Sequence, residues 1–135
     1  MKHIRRSIVA AVLAMLFNVA PAFPHHSHEA EFYSNKKITL KGTIAQVEWE
    51  NPHTYIHLSV KDNNGKVTDW SLETYPPHVL HRGGVTREMF KEGQEVTVVA
   101  NPAKDGTKNL AYLMGITFPD GHYLDVWLGD PKQYQ

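Results

Sequence analysis

The amino-acid sequence predicts an all-β protein: a small five- to six-stranded OB-like Greek-key barrel with a short helical connector between strands 3 and 4. Three observations predict it. Across residues 37–128 the apolar residues fall in short, β-branched runs set apart by turn signals, the pattern of small all-β domains. The first run is long and switches its inward parity part-way, as a coiled strand does when it serves two faces of a barrel. The order is three meandering strands, an interruption without β pattern, then two or three strands, which an OB-type barrel requires. A β-sandwich would show about seven regular strands, and the sequence does not hold that many.

The run "ITLKGTIAQVEWE" (38–50) places Ile38, Leu40 and Ile44 on one parity and Val47 and Trp49 on the other. An extra residue must intervene, so a bulge is expected near Ala45–Gln46 and a bend at Gly42. Pro52 in "NPH" (51–53) lacks the N–H that a ladder needs and ends the strand. "TYIHLSVKD" (54–62) alternates, with Ile56, Leu58 and Val60 inward and Tyr55, His57 and Ser59 outward. "NNG" (63–65) closes a hairpin, its Asn-Gly step suiting positive φ, and "KVTDWSLE" (66–73) returns with Trp70 and Leu72 inward. In "TYPPHVLHRGGVTREMFKEGQ" (74–94) the β pattern stops. Pro77 starts a helical turn that ends at Gly83–Gly84, and Thr86 caps "REMF" ahead of Gly93. "EVTVVA" (95–100) and "NLAYLMGITF" (109–118) are strands around the "KDGTKN" turn (104–109), and "PDGHYLDVWL" (119–128) is a hairpin return.

The segments outside the barrel have other compositions. Residues 1–22 read as a cleaved signal peptide: Lys2, Arg5 and Arg6 form a basic start, "IVAAVLAMLF" (8–17) is apolar but too short to span a bilayer, and "APA" (20–22) offers small residues for cleavage after Ala22. A periplasmic or secreted location follows, with no stable membrane anchor after cleavage. Residues 23–36 read as an extended histidine-rich arm, and 129–135 as a polar tail. The whole chain balances 14 basic against 14 acidic residues. Removing the leader takes away three basic residues and no acidic one, so the exported chain is mildly acidic. Such a surface does not suit a nucleic-acid backbone as partner. There is no cysteine, which excludes disulfides, thiolate ligands and thiol nucleophiles together.

Histidine is the residue type in excess. Beyond the leader stand His25, His26, His28, His53, His57, His78, His81 and His122. Two imidazoles on one ion need Cα atoms within about 12 Å, given metal–nitrogen bonds near 2.0 Å. In extended chain, same-side neighbours lie about 6.6 Å apart and residues four apart about 13 Å. His26 and His28 therefore suit a clamp, whereas His53 and His57 reach one ion only if His53 curls back at the Pro52 turn. The corner between strands 1 and 2 is a ligand-binding loop in OB barrels, and here it holds Trp49, Glu50, Asn51 and His53. An arm folded back on that corner would bring three or four imidazoles together, a donor set for Cu, Zn or Ni. His78 and His81 read as helix-end or surface residues and His122 as a turn residue.

Several stretches together carry a resemblance: "HHS" after the leader, "EF" shortly beyond, "TLKGTIAQVEWENPHTYIHLSVKD", "LHRGGVTREMFKEGQEVTV", "AKDGTKNLA" and "TFPDG". Over residues 25–121 the chain resembles a family of small exported bacterial proteins known only as a domain of unknown function. The resemblance implies export from a Gram-negative cell and a small β-barrel, and it transfers no catalytic residue. Pro24 stands where the family pattern has alanine before the histidine pair, so an implied mature N-terminus at His25 does not carry over.

No nucleophile elbow, His-Glu-x-x-His helix or phosphate loop occurs, and Ser27 beside histidines is not a triad. The expectation is a binding module, not an enzyme. Its ligand is a small molecule or a transition-metal ion (Cu, Zn or Ni), its metal candidates are His25, His26, His28, His53 and His57, and Trp49, Glu50, Asn51 and Tyr55 form the ligand face. The alternative is a metal-independent module that meets a protein or an oligosaccharide through the outward sheet face around Tyr55 and His57.

Overall fold

A computed structural model of the chain describes residues 28–126. The elements are α1 (His28–Glu31), β1 (Ile38–Glu48), β2 (Thr54–Lys61), β3 (Val67–Thr74), α2 (Pro77–Arg82), a 3-10 turn (Arg87–Met89), β4 (Glu95–Pro102), β5 (Leu110–Thr117) and β6 (Tyr123–Asp125). The predicted signal peptide, His25, His26 and the polar tail lie outside the described residues. Among the described residues no helix is long and apolar enough to cross a membrane.

Five strands close into a barrel and β6 adds a sixth at the edge. The hydrogen-bonded order is β3-β2-β1-β4-β5-β6, and a parallel β3–β5 pairing over Ser71–Glu73 closes the ring. All other pairings are antiparallel. The long first strand is what makes closure possible, because it pairs with β4 through Ile38–Thr43 and with β2 through Thr43–Glu48. Its parity switch is real: the register with β2 shifts between Ile44 and Gln46, where the bulge is expected, so Ile44 and Val47 both point inward. Gly42 lies under β2, and a Cβ there would stand 2.6 Å from the Ser59 carbonyl oxygen, so only glycine lets the strands cross this closely.

The core gathers inward residues from every barrel strand: Ile44, Ile56, Leu58, Leu72, Val98, Leu113 and Ile116 are fully buried. Burying each such side chain contributes about 1.5–3 kcal/mol relative to exposure. The connector closes one end. Pro77 opens α2, whose preset φ suits a first helical turn, and Gly84, with φ of 79°, turns the chain away from it. Between them Leu80 is driven wholly into the core, with Val85 and Phe90 behind it.

The arm departs from expectation. Residues 28–31 form one helical turn, closed by the Phe32 N–H donating to the His28 carbonyl, where an extended segment is predicted. Phe32 is 2% exposed and bridges Ala103, the Tyr33 N–H donates to the Pro102 carbonyl, and the Lys104 N–H donates to the Glu31 carbonyl. The buried ring therefore fixes this part of the arm on the end of β4, beside β5.

A candidate ligand cleft under the N-terminal arm

Docking of the arm makes a cleft. One lobe, of about 180 Å3, is lined by His28, Glu31, Phe32, His53, Glu73, Tyr75, Pro76 and Tyr112. An adjoining lobe of about 290 Å3 shares Glu31, Phe32 and Glu73 and adds Ala30, Ala103, Asp105 and Leu110. The cleft thus joins the arm, the Asn-Pro-His corner and the end of β3.

Glu73 organises the barrel side. It lies directly across the β2–β3 ladder from Tyr55, and on its other side it pairs in register with Tyr112 of β5. Held from both sides, its carboxylate is buried, at 8% exposure, and each oxygen has a partner. The Tyr55 hydroxyl donates to Oε2 at 2.9 Å, and His53 Nδ1 stands 3.1 Å from Oε1. Burial beside Glu73 pushes the Tyr55 phenol up to about 12. His53 follows the cis Asn51–Pro52 bond at the head of β2, and its ring is about one-third exposed.

The arm side is aromatic. The His28 ring lies edge-on to Tyr112 at 4.6 Å and stacks near Phe32 at 5.8 Å, and Tyr75 meets Tyr112 edge-on at 5.8 Å. Desolvation holds His28 below the usual imidazole range, with a hydrogen bond to the buried Asn101 acting the other way. Asn101 itself is anchored by donating to the Lys36 carbonyl at 2.6 Å. Desolvation likewise drives the Tyr112 phenol far upward, with Tyr75 reinforcing it.

His57 is placed differently. Its Nε2 stands 3.0 Å from Glu48 Oε1 and its Nδ1 stands 3.2 Å from the Ser71 hydroxyl, so both nitrogens have partners. Its ring also stacks on Tyr55 at 6.4 Å. Ser71, His57 and Glu48 form a Ser–His–Glu line across three strands. The Ser71 N–H, which would be the first oxyanion donor, is bonded to the Asn109 carbonyl, so the line works as a cross-strand brace.

Of the residues singled out from sequence, His28, His53 and Tyr55 come together around Glu73. Trp49 turns inward, packing against the core and facing Phe90 at 6.3 Å, while Glu50 and Asn51 are exposed. His78 and His81 are exposed on α2, and His122 stacks on Phe118 in the β5–β6 turn. Glu73, Tyr112 and Asn101 are additions that the sequence does not single out, whereas Tyr75 is an aromatic ring that the start of the connector offers. Among the described residues no three His, Asp or Glu side chains stand close enough to hold a metal ion as they are.

A family described as a family of unknown function (DUF6152) matches residues 13–111. That span takes in His28, His53, Tyr55, Glu73 and Asn101 and ends one residue short of Tyr112. Comparison with curated proteins and with solved structures gives no match. The match covers most of the chain, and the protein belongs to this family of unknown function, DUF6152.

Proposed function

We propose that the protein is an exported small-ligand binding module whose ligand is a transition-metal ion, held in the cleft between the arm and the Asn-Pro-His corner. One observation carries the reading: His28 and His53, far apart in the sequence, line a single lobe that Glu31 and Glu73 also line. Imidazole and carboxylate donors without a thiolate suit Cu(II), Zn(II) or Ni(II), with Cu(II) favoured by intrinsic affinity. His53 is the fixed ligand, and the arm supplies the rest through His28 and through His25 and His26, which precede it in the chain. The basic, apolar and small-residue order of the leader supports a periplasmic or secreted location. Carboxylates in the cleft disfavour a phosphate-bearing partner such as nucleic acid.

The metal-independent reading has less support. The outward face it needs is engaged internally, since the Tyr55 hydroxyl bonds Glu73 and both His57 nitrogens have partners. Calorimetric titration with Cu(II), Zn(II) and Ni(II) tests the proposal. Sub-micromolar binding of at least one ion is expected, weakened more than roughly a hundredfold in His53→Ala, a larger loss than outer-shell changes produce. Binding that is unchanged in His53→Ala and lost on replacing His25 and His26 would reduce the activity to chelation by the arm and end this reading.

A further inference from the structure

We propose that the larger lobe of the cleft is a site for a short aliphatic diamine, held as its dication with one ammonium on Glu73 and the other at the rim with Glu31 and Asp105. The site goes beyond the metal reading and uses none of its imidazoles. Among the described residues this lobe is lined by the three carboxylates and by Ala30, Phe32, Ala103 and Leu110, with no lysine, arginine or histidine. Lys104, beside Asp105 in the chain, is engaged elsewhere, its Nζ donating to the Glu29 carbonyl of the arm. Acidity alone would describe a solvated rim, but Glu73 is not at the surface. Its side chain is 8% exposed, and its backbone is laddered to Tyr55 on one side and to Tyr112 on the other. Oε2 accepts from the Tyr55 hydroxyl, whereas no hydrogen-bond donor among the described residues serves Oε1. His53 Nδ1 approaches Oε1 to 3.1 Å, yet without hydrogen-bond geometry. A carboxylate offers about four acceptor sites, and a buried one short of donors is satisfied when a ligand brings them. Glu31 and Asp105, by contrast, are exposed, and the Thr107 N–H fixes the Asp105 carboxylate by donating to it at 2.8 Å. The lobe thus runs from a buried acid to an exposed pair along apolar walls. A run of methylenes with an ammonium at each end matches that order of groups. At about 290 Å3 the lobe stands at the foot of the ligand-pocket range of about 300–1,000 Å3, so the guest is small.

The test is titration of the 15N-labelled protein at neutral pH, with a chelator present, by diaminoethane, diaminopropane, diaminobutane and diaminopentane, and by butylamine for comparison. The amide signals of Glu73, Ala103 and Leu110 should shift, and each added methylene should tighten binding by up to about fourfold. Glu73→Gln, near in shape, should weaken diaminobutane and butylamine alike by about 10- to 100-fold. Asp105→Asn keeps the Oδ1 acceptor of its turn and should weaken diaminobutane by about two- to fivefold while leaving butylamine unchanged. An affinity that stays flat along the series is surface ion pairing and overturns the proposal. So does butylamine binding as tightly as diaminobutane, or a folded Glu73→Gln that binds as before. If Glu73→Gln does not fold, the length series and Asp105→Asn decide the outcome, because neither alters the buried acid. The chelator keeps metal ions out of the measurement, so failure here leaves the metal reading to its own titration.

Discussion

His53 and His57 stand four positions apart on one side of the chain, and the fold treats them as different kinds of residue. His57 lies in the middle of β2, where Glu48 of β1 and Ser71 of β3 reach it from both neighbouring strands. His53 lies at the head of β2, beyond the Pro52 corner, and meets one partner, the buried carboxylate of Glu73. His53 shares a cleft with arm residues, while His57 ties three strands together. On the proposed reading the ligand is the histidine that opens on the cleft, and the brace is the one held between two neighbouring strands. Ring type and spacing do not distinguish the two.

The contrast breaks most completely if the arm is removed from the barrel. Phe32 is the arm's buried anchor, packed 5.5 Å from the Tyr112 ring. Phe32→Ala should cost about 3–5 kcal/mol of the stability of the docked arm, the usual range for losing a buried Phe. Hydrogen exchange should then show faster exchange of the Tyr33 and Lys104 amides, which bond across the arm junction, with the β1–β2 ladder unchanged. Equal protection of those two amides in the variant would show that the ring does not hold the arm.

A smaller effect sharpens the contrast from the other side. His57→Ala removes the hydrogen bond to Ser71 and the close approach to Glu48 at a half-buried site, and should lower stability by about 1 kcal/mol in urea unfolding. Metal affinity should change far less than in His53→Ala, because His57 reaches the cleft only through the Tyr55 ring on which it stacks. A loss of affinity comparable with that of His53→Ala would place His57 in the ligand set after all.

The smallest effect is a pH dependence. The Tyr55 phenol is raised in the folded chain from its ordinary value near 10 to about 12, by desolvation first and by Glu73 next. A raised pKa means that the folded state keeps its proton where the unfolded chain releases it. The contribution of this group is therefore fully present below pH 10 and is lost as pH rises from about 10 to 12. Ultraviolet absorbance titration should show Tyr55 ionising late, and Tyr55→Phe should flatten the alkaline loss of stability. Ionisation near pH 10 in the folded protein would mean that the Tyr55 hydroxyl is not buried beside Glu73.

The barrel was legible because it is written in local terms. The parity switch along Ile38–Trp49 marked the bulge that the register shift confirms, and the Pro77 and Gly83–Gly84 signals bracketed α2. The site was only partly legible, because its members meet through long-range contacts. Glu73 is the instructive omission. It sits on the outward parity of β3, where a carboxylate ordinarily faces water, and it is buried because the arm covers it. A signal existed nonetheless: a hairpin turning on Asn63–Gly65 pairs Asp62 with Lys66 and hence Tyr55 with Glu73, which is the observed register. The helical turn of the arm had no such signal, since His28–Glu31 has no apolar period and is fixed by Phe32 docking on Ala103. Trp49 took the inward place that its parity with Val47 gives it, which removed it from the ligand face.

The claim on which the functional account depends is that the imidazole of His53 and those of the arm meet one ion in one cleft. A crystal structure of the protein grown with one equivalent of Zn(II), with anomalous data at the zinc edge, tests it directly. The account predicts a single strong peak about 2.0–2.1 Å from a ring nitrogen of His53, with an arm histidine as a second ligand. A peak on arm residues alone, or on His57, with His53 unliganded, would contradict it.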